Sequence, residues 1–135
     1  MKILVTGFGP FPGVEKNPTE ILIGEALAKL GALADHEVDT TILRTAWNPV
    51  RSWVKNNLEG SSYDLVIHLG LAVESETFRL ESTGRNYVTP GVVDQDGHTF
   101  EDELILPDGL PTLPCPLPLS AFREHFQAED LPVEI

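Results

Sequence analysis

Cysteine is all but absent. Cys115 stands alone among 135 residues, so no internal disulfide can form and a reducing compartment is expected. Basic residues are scarce too: nine Lys and Arg face 21 Asp and Glu, a net charge of −12. That balance excludes the basic footprint that nucleic acid or an anionic membrane surface requires. The acidic excess reads as solvated faces and names no substrate. Long hydrophobic runs are missing, since nothing approaches the roughly 20 apolar residues of a membrane span. Ile3 to Val5 is also too short for the apolar stretch of a signal peptide, so a cytoplasmic location is expected. There are no internal repeats, and the only biased segment is a proline-rich arm at about 106–118. With 41% hydrophobic and 22% charged residues, the chain has the composition and length of a single α/β domain covering 1–135.

What is present is organised by the first eighteen residues. Ile3, Leu4 and Val5 form an apolar run closed by Thr6-Gly7, the pattern of a strand in a parallel sheet covered on both faces. A glycine- and proline-shaped loop follows and carries Phe8 and Phe11. It leaves from the strand's carboxyl end, where open α/β sheets bind ligands. Asn17-Pro18-Thr19-Glu20 then spells a helix start, with Asn17 as N-cap, Pro18 at the first helical position and Glu20 reaching back to the cap. Ile23, Ala26, Leu27 and Leu30 share one face and Gly31 marks the end, which predicts a helix to about residue 30.

The pattern repeats. Val38, Thr40 and Ile42 alternate within 37–44 and predict a second strand toward an edge. Asn48-Pro49 is again an N-cap and first helical position, followed by Val50, Trp53, Val54 and Leu58 at helical spacing and then Gly60. Residues 63–69 are nearly continuous in apolar side chains, which suits a central parallel strand. Three strands alternating with two helices predict an α/β fold with right-handed crossovers. From 71 to 97 the periodicity fades over a stretch longer than most connections, so function is expected there, with an extended piece at 79–83. The proline-rich segment predicts an irregular surface arm. A last helix is expected over about 118–128, with Leu119, Phe122 and Phe126 turned inward, and a strand begins near 131.

Several motifs carry chemistry, each with a plainer alternative. Gly7-Phe-Gly9 with Gly13 invites a nucleotide-binding α/β reading, yet Pro12 stands where the dinucleotide fingerprint needs a small residue and no Lys-Ser/Thr pair follows. Phe8 and Phe11 suit either an apolar pocket for a small uncharged group or the core. Asp94-Gln-Asp-Gly97 resembles half a calcium loop, but its glycine comes too early and Ile105 would fall on the chelating twelfth position, so no metal is expected. His36, His68, His98 and His125 lie on different predicted elements without ligand spacing and read as satisfied or solvent-facing imidazoles. Cys115, between two prolines of the arm, lacks the setting of a nucleophile. Glu81, flanked by Phe78 and Leu80, is either a buried carboxylate that orients a histidine or a solvated glutamate.

Four groups of residues stand in a telling order: Thr6-Gly-Phe-Gly-Pro-Phe11 with Asn17-Pro18, Val66-Ile-His-Leu-Gly-Leu-Ala72, Leu80-Glu81 with Asn86, and Asp94-x-x-Gly97. In order and spacing they resemble the pyroglutamyl peptidase I (pyrrolidone carboxyl peptidase) family over essentially the whole chain. The resemblance implies an α/β/α open sandwich with a mostly parallel sheet. It implies a cytosolic, cofactor-free cysteine peptidase that removes N-terminal pyroglutamate (5-oxoproline) from peptides and assembles as a homo-oligomer. Glu81 matches the glutamate of the family's Glu, Cys, His triad. Phe8 and Phe11 match the aromatic residues that sandwich the lactam ring, and Thr45, Leu71 and Val92 match further lining positions.

Two departures follow from the same resemblance. Gly91-Val92-Val93-Asp94 stands where the family often has an arginine followed by Ile-Pro-Asp. The family's nucleophilic cysteine lies at a strand-to-helix turn soon after the strand that begins at Val133, with its histidine further on. Neither occurs within residues 1–135, and neither Cys115 nor His125 matches the motif. The expectation is a sheet incomplete at its C-terminal side and a chain that is inactive alone, because a carboxylate without nucleophile and base makes no acyl-enzyme. The alternative is a non-catalytic binding remnant of the same fold.

Overall fold

The N-terminal apolar run becomes strand β1, Lys2–Phe8, and the rest of its unit is built around it. The computed structural model describes residues 1–27, 34–99 and 104–135. These fall into two compact units, Met1–Leu71 with Val93–Thr99 and Ala72–Val92 with Phe100–Ile135.

In the first unit, β1 is the middle of a parallel sheet, with β2 (Glu37–Leu43) on one side and β3 (Leu65–His68) on the other. The register pairs Ile3 with Val38 and Leu65, and Thr6 with Thr41 and His68. Side chains alternate across a strand, so β1 presents Ile3, Val5 and Gly7 to one face and Leu4, Thr6 and Phe8 to the other. The first face holds a core of Ile3, Val5 and Ile23, with Leu27, Val38, Leu65 and Leu69 packed against it. Leu4 is buried to 2% on the second face, so both faces of β1 are covered, as its unbroken apolar run requires. With strands in the order 2-1-3, right-handed crossovers place successive helices on opposite faces and leave a topological switch point at the carboxyl ends of β1 and β3. The predicted central position of residues 63–69 is corrected: among the described residues β3 pairs with β1 alone, and Ile67 is 38% exposed.

The predicted helix start at Asn17 is present. Asn17 Oδ1 accepts from the Thr19 N–H at 3.1 Å, and Pro18 opens helix α1, Pro18–Ile21. Glu20 does not close the box. The Thr19 hydroxyl instead adds a second donor to the cap, reaching Asn17 Oδ1 at 2.9 Å. The helix then widens to π geometry over Leu22–Ala26, while the predicted Leu30 and Gly31 lie outside the described residues.

Helix α2, Trp47–Asn57, corrects a second start. It begins before Asn48-Pro49, with Ala46 at the cap position and no capping side chain of its own. The missing acceptor comes from the loop at 93–99, where Asp94 Oδ2 accepts from the Trp47 N–H at 2.9 Å. Asp94 Oδ1 accepts from the N–H groups of Asp96 and His98 at 2.9 and 2.8 Å. Gln95 donates its N–H to the Thr45 carbonyl at 3.0 Å, and Arg44 pairs with Asp96. The Asp94-x-x-Gly97 motif is therefore a clip across the start of α2, and Gly97 supplies its φ of +80°.

Burial opposes the charge on Asp94, whose side chain is 4% exposed, but the three N–H donors outweigh it and hold the carboxyl below its ordinary value of 3.8. The unfolded chain then binds the extra proton first. The clip's contribution is whole above pH 3.8 and is lost as the pH falls through the lower, folded value. We expect the urea midpoint to fall more steeply with acid in this window for the native chain than for Asp94→Asn. Parallel pH dependence of the two would disprove the assignment.

In the second unit the expected last helix and the strand after it are present, the extended piece expected at 79–83 is two short strands, and the arm is less irregular than its prolines predict. Strand β4, Phe78–Arg79, runs parallel to β7, Val133–Glu134, and β5, Thr83–Arg85, is antiparallel to β6, Thr112–Pro114. The arm is thus partly a strand, with Pro114 opposite Thr83, an arrangement open to proline because such a short ladder has free edges. Asn86 ties the arm down: its side chain donates to the Leu106 carbonyl and accepts from the Leu106 N–H, both at 2.8 Å. Helix α3, Leu119–Ala128, sets Phe126 against Phe78, with ring centroids 5.9 Å apart. Phe122, expected inside, is 40% exposed.

Candidate functional site

The carboxyl ends of β1 and β3 meet through one side-chain pair. Thr6 Oγ1 lies 2.7 Å from His68 Nδ1, and the Leu69 N–H donates to the Thr6 carbonyl at 2.8 Å. Thr6 has no exposed surface, and His68 is the sole partner of its hydroxyl among the described residues. A buried O–H left without an acceptor costs about 1–3 kcal/mol, so the threonine donates and Nδ1 accepts. His68 is therefore the Nε2–H tautomer. Although the residue as a whole keeps solvent contact, the partial burial of its ring pushes the pKa below 6.5 and favours the neutral form.

The loop after β1 is held from several sides. The Phe8 N–H donates to Thr19 Oγ1 at 2.9 Å, and the Gly9 N–H to the Leu43 carbonyl at 3.0 Å. Phe11 and Val14 exchange both backbone bonds, at 3.1 and 2.8 Å, around Gly13 with φ +87°. Asn17, 1% exposed, donates to the Gly9 carbonyl at 3.2 Å. These bonds leave Phe8 and Phe11 half-buried, not within the core. They also use the N–H groups of Phe8, Gly9, Phe11 and Val14 internally, so the loop is not the cradle of free amides that a phosphate needs.

The remaining predicted residues lie as follows. In the first unit, Thr45 is half-buried, its Oγ1 buried without a partner and its carbonyl held by Gln95. Leu71 is 36% exposed. In the second unit, Val92 is 47% exposed, and the Glu81 carboxylate, 68% exposed, pairs with Arg79 at 3.2 Å. The same arginine reaches Glu134 on the paired strand at 3.6 Å. Glu81 is thus a solvated, ion-paired glutamate here, not a buried carboxylate. Cys115 is half-buried, with its N–H on the Ser82 carbonyl. Among the described residues no three His, Cys, Asp or Glu cluster as metal ligands. Sequence reasoning missed the Thr6–His68 pair and the Asp94 clip. The only trace of the first was that both residues end apolar strand runs.

A family model described as Pyroglutamyl peptidase matches residues 1–135. The chain belongs to the pyroglutamyl peptidase family. Its relatives include the pyrrolidone-carboxylate peptidase of Pyrococcus furiosus, 29% identical over 100% of this chain and 64% of that protein. The counterpart from Staphylococcus saprophyticus is 27% identical over 98% of this chain and 61% of its own. Among solved structures, a mutant pyrrolidone carboxyl peptidase from P. furiosus superimposes with a TM-score of 0.87 at 28% identity, over 100% of this chain and 64% of that one. The enzyme from Fervidobacterium islandicum AW-1 gives a TM-score of 0.89 at 24% identity, over 99% of this chain and 64% of that one, a likeness of fold. The α/β fold expected from the residues is the pyroglutamyl peptidase fold. The chain spans about 64% of the length of the P. furiosus relative. Among the described residues no helix is long and apolar enough to cross a membrane.

Proposed function

We propose that this chain is the lactam-binding part of a cysteine-type pyroglutamyl peptidase, a hydrolase that removes N-terminal pyroglutamate from peptides. The observation that carries the reading is the family match along all 135 residues. Phe8 and Phe11, with Thr45 and Leu71, are proposed to hold the ring, and Val92 to line it. The half-buried phenylalanines support this, since a neutral five-membered lactam suits an aromatic wall with few polar contacts. Glu81 is proposed as the carboxylate that orients the catalytic histidine, and its reach in the present structure is to Arg79. The reaction is thiolate attack on the pyroglutamyl carbonyl carbon with departure of the peptide amine, followed by water. Cys115 is not that thiolate. We further propose a cytoplasmic, homo-oligomeric protein acting without cofactor, metal or nucleic acid.

Two measurements test this on the purified 135-residue chain. No p-nitroaniline release from L-pyroglutamyl-p-nitroanilide above the buffer rate is expected, and measurable release inhibited by a thiol reagent would contradict the absence of the nucleophile. L-pyroglutamamide should shift the ring resonances of Phe8 and Phe11, with Phe11→Ala weakening binding by about tenfold or more. Unshifted rings at saturating ligand would remove the lactam reading.

A further inference from the structure

We propose that His68 is a ligand-binding residue at the sheet's carboxyl end, its Nε2–H serving as the neutral donor to the carbonyl oxygen of a small uncharged lactam or amide. The inference rests on the lactam reading above and adds to it an imidazole N–H donor.

Three observations carry it. His68 ends β3 beside Thr6 of β1, at the switch point where open parallel sheets take their ligands. Its bond to Thr6 places it on the face that Thr6 shares with Phe8, two residues further along β1. The buried Thr6 hydroxyl commits Nδ1 as acceptor, so the ring carries its proton on Nε2, which has no protein partner among the described residues. Meanwhile the backbone donors next to the phenylalanines are spent: Phe8 on Thr19, Gly9 on Leu43 and Phe11 on Val14. A lactam carbonyl settling against those rings meets no free amide from Phe8, Gly9 or Phe11, whereas His68 offers a fixed, uncharged N–H. An uncharged donor also suits an uncharged ligand, because it sheds its water more readily than a cation would.

The test uses the 135-residue chain with ¹⁵N-labelled histidine and L-pyroglutamamide as probe. Without ligand, the His68 ring should show the Nε2–H tautomer, and Thr6→Val, of nearly the same shape, should release it to a mixture while Thr6→Ser restores it. An Nδ1–H ring in the native chain overturns the proposal whatever the ligand does. With ligand, the His68 Nε2 resonance should move, and His68→Phe should weaken binding about tenfold, Thr6→Val less and Thr6→Ser hardly at all. Unchanged binding in His68→Phe, with Phe8 and Phe11 still shifted, overturns the role of His68 and leaves the lactam reading standing. Should His68→Phe fail to fold, an unmoved Nε2 resonance in the native chain overturns it equally. No shift at any of the three residues in the native chain ends both.

Discussion

Asn17→Ala is expected to lower the stability of the chain by about 2–4 kcal/mol in urea unfolding. A helix cap alone is worth about 1 kcal/mol, and if Asn17 were only a cap the loss would stop there. The side chain is 1% exposed and makes three bonds: it accepts from the Thr19 N–H and hydroxyl and donates to the Gly9 carbonyl. Truncation removes these partners where water has little access, and each stranded group adds part of its desolvation cost. Amide exchange should also quicken across 8–17, since the Gly9 bond is one of those that hold that loop to the helix start. Asn17→Asp separates the contributions, because it keeps the acceptor for Thr19 and loses the donor to Gly9. A loss below about 0.5 kcal/mol for the alanine variant would show that water replaces these bonds freely.

Gly7→Ala should destabilise by about 1–3 kcal/mol, against the usual expectation for a strand. Glycine inside an element costs about 0.5–1 kcal/mol relative to alanine, and Gly7 is not among the positive-φ residues, so backbone freedom gives it no purpose. The reason is space. A Cβ at position 7 would stand 2.8 Å from Ile23 Cδ1, 2.9 Å from Thr19 Oγ1 and 3.0 Å from Thr19 Cβ. Ile23 Cδ1 can swing, but Thr19 is fixed by its bonds to Phe8 and Asn17. The steric term therefore outweighs the entropic gain. Adding Ile23→Val removes the nearest atom and should recover part of the loss, while the share due to Thr19 remains. A Gly7→Ala chain as stable as the native one would mean that α1 shifts off β1 without cost.

How much was legible can be judged from these elements. β1 and the Asn17-Pro18 start were readable because both are local: an apolar run with a stop, and a cap followed by a proline. The start of α2 was misread because its cap is not local. The acceptor for Trp47 comes from Asp94, 47 residues away, and no short-range pattern reports a bond of that kind. The role of Asp94 was hidden for the same reason: sequence spacing argued against calcium there but could not show that the carboxylate faces three backbone N–H groups instead. Phe122 fell on the apolar stripe of its helix and is exposed all the same, because spacing shows which residues share a face and not whether anything covers it.

For the site, the residues by themselves singled out Phe8, Phe11 and Glu81, and the resemblance to the family to which the chain belongs added Thr45, Leu71 and Val92 as expectations. Those features survive in sequence because strand ends, glycine turns and caps are written in adjacent residues. Three properties were decided only by the tertiary structure: that Thr6 sits opposite His68 and fixes its tautomer, that the loop amides are already spent, and that Glu81 rests on Arg79 in solvent. The first depends on strand register and the second largely on partners brought close by the fold, a hydrogen bond existing only once those atoms are within about 3 Å of one another; Arg79 is a near neighbour of Glu81 in sequence, but the exposure of the pair is set by the fold.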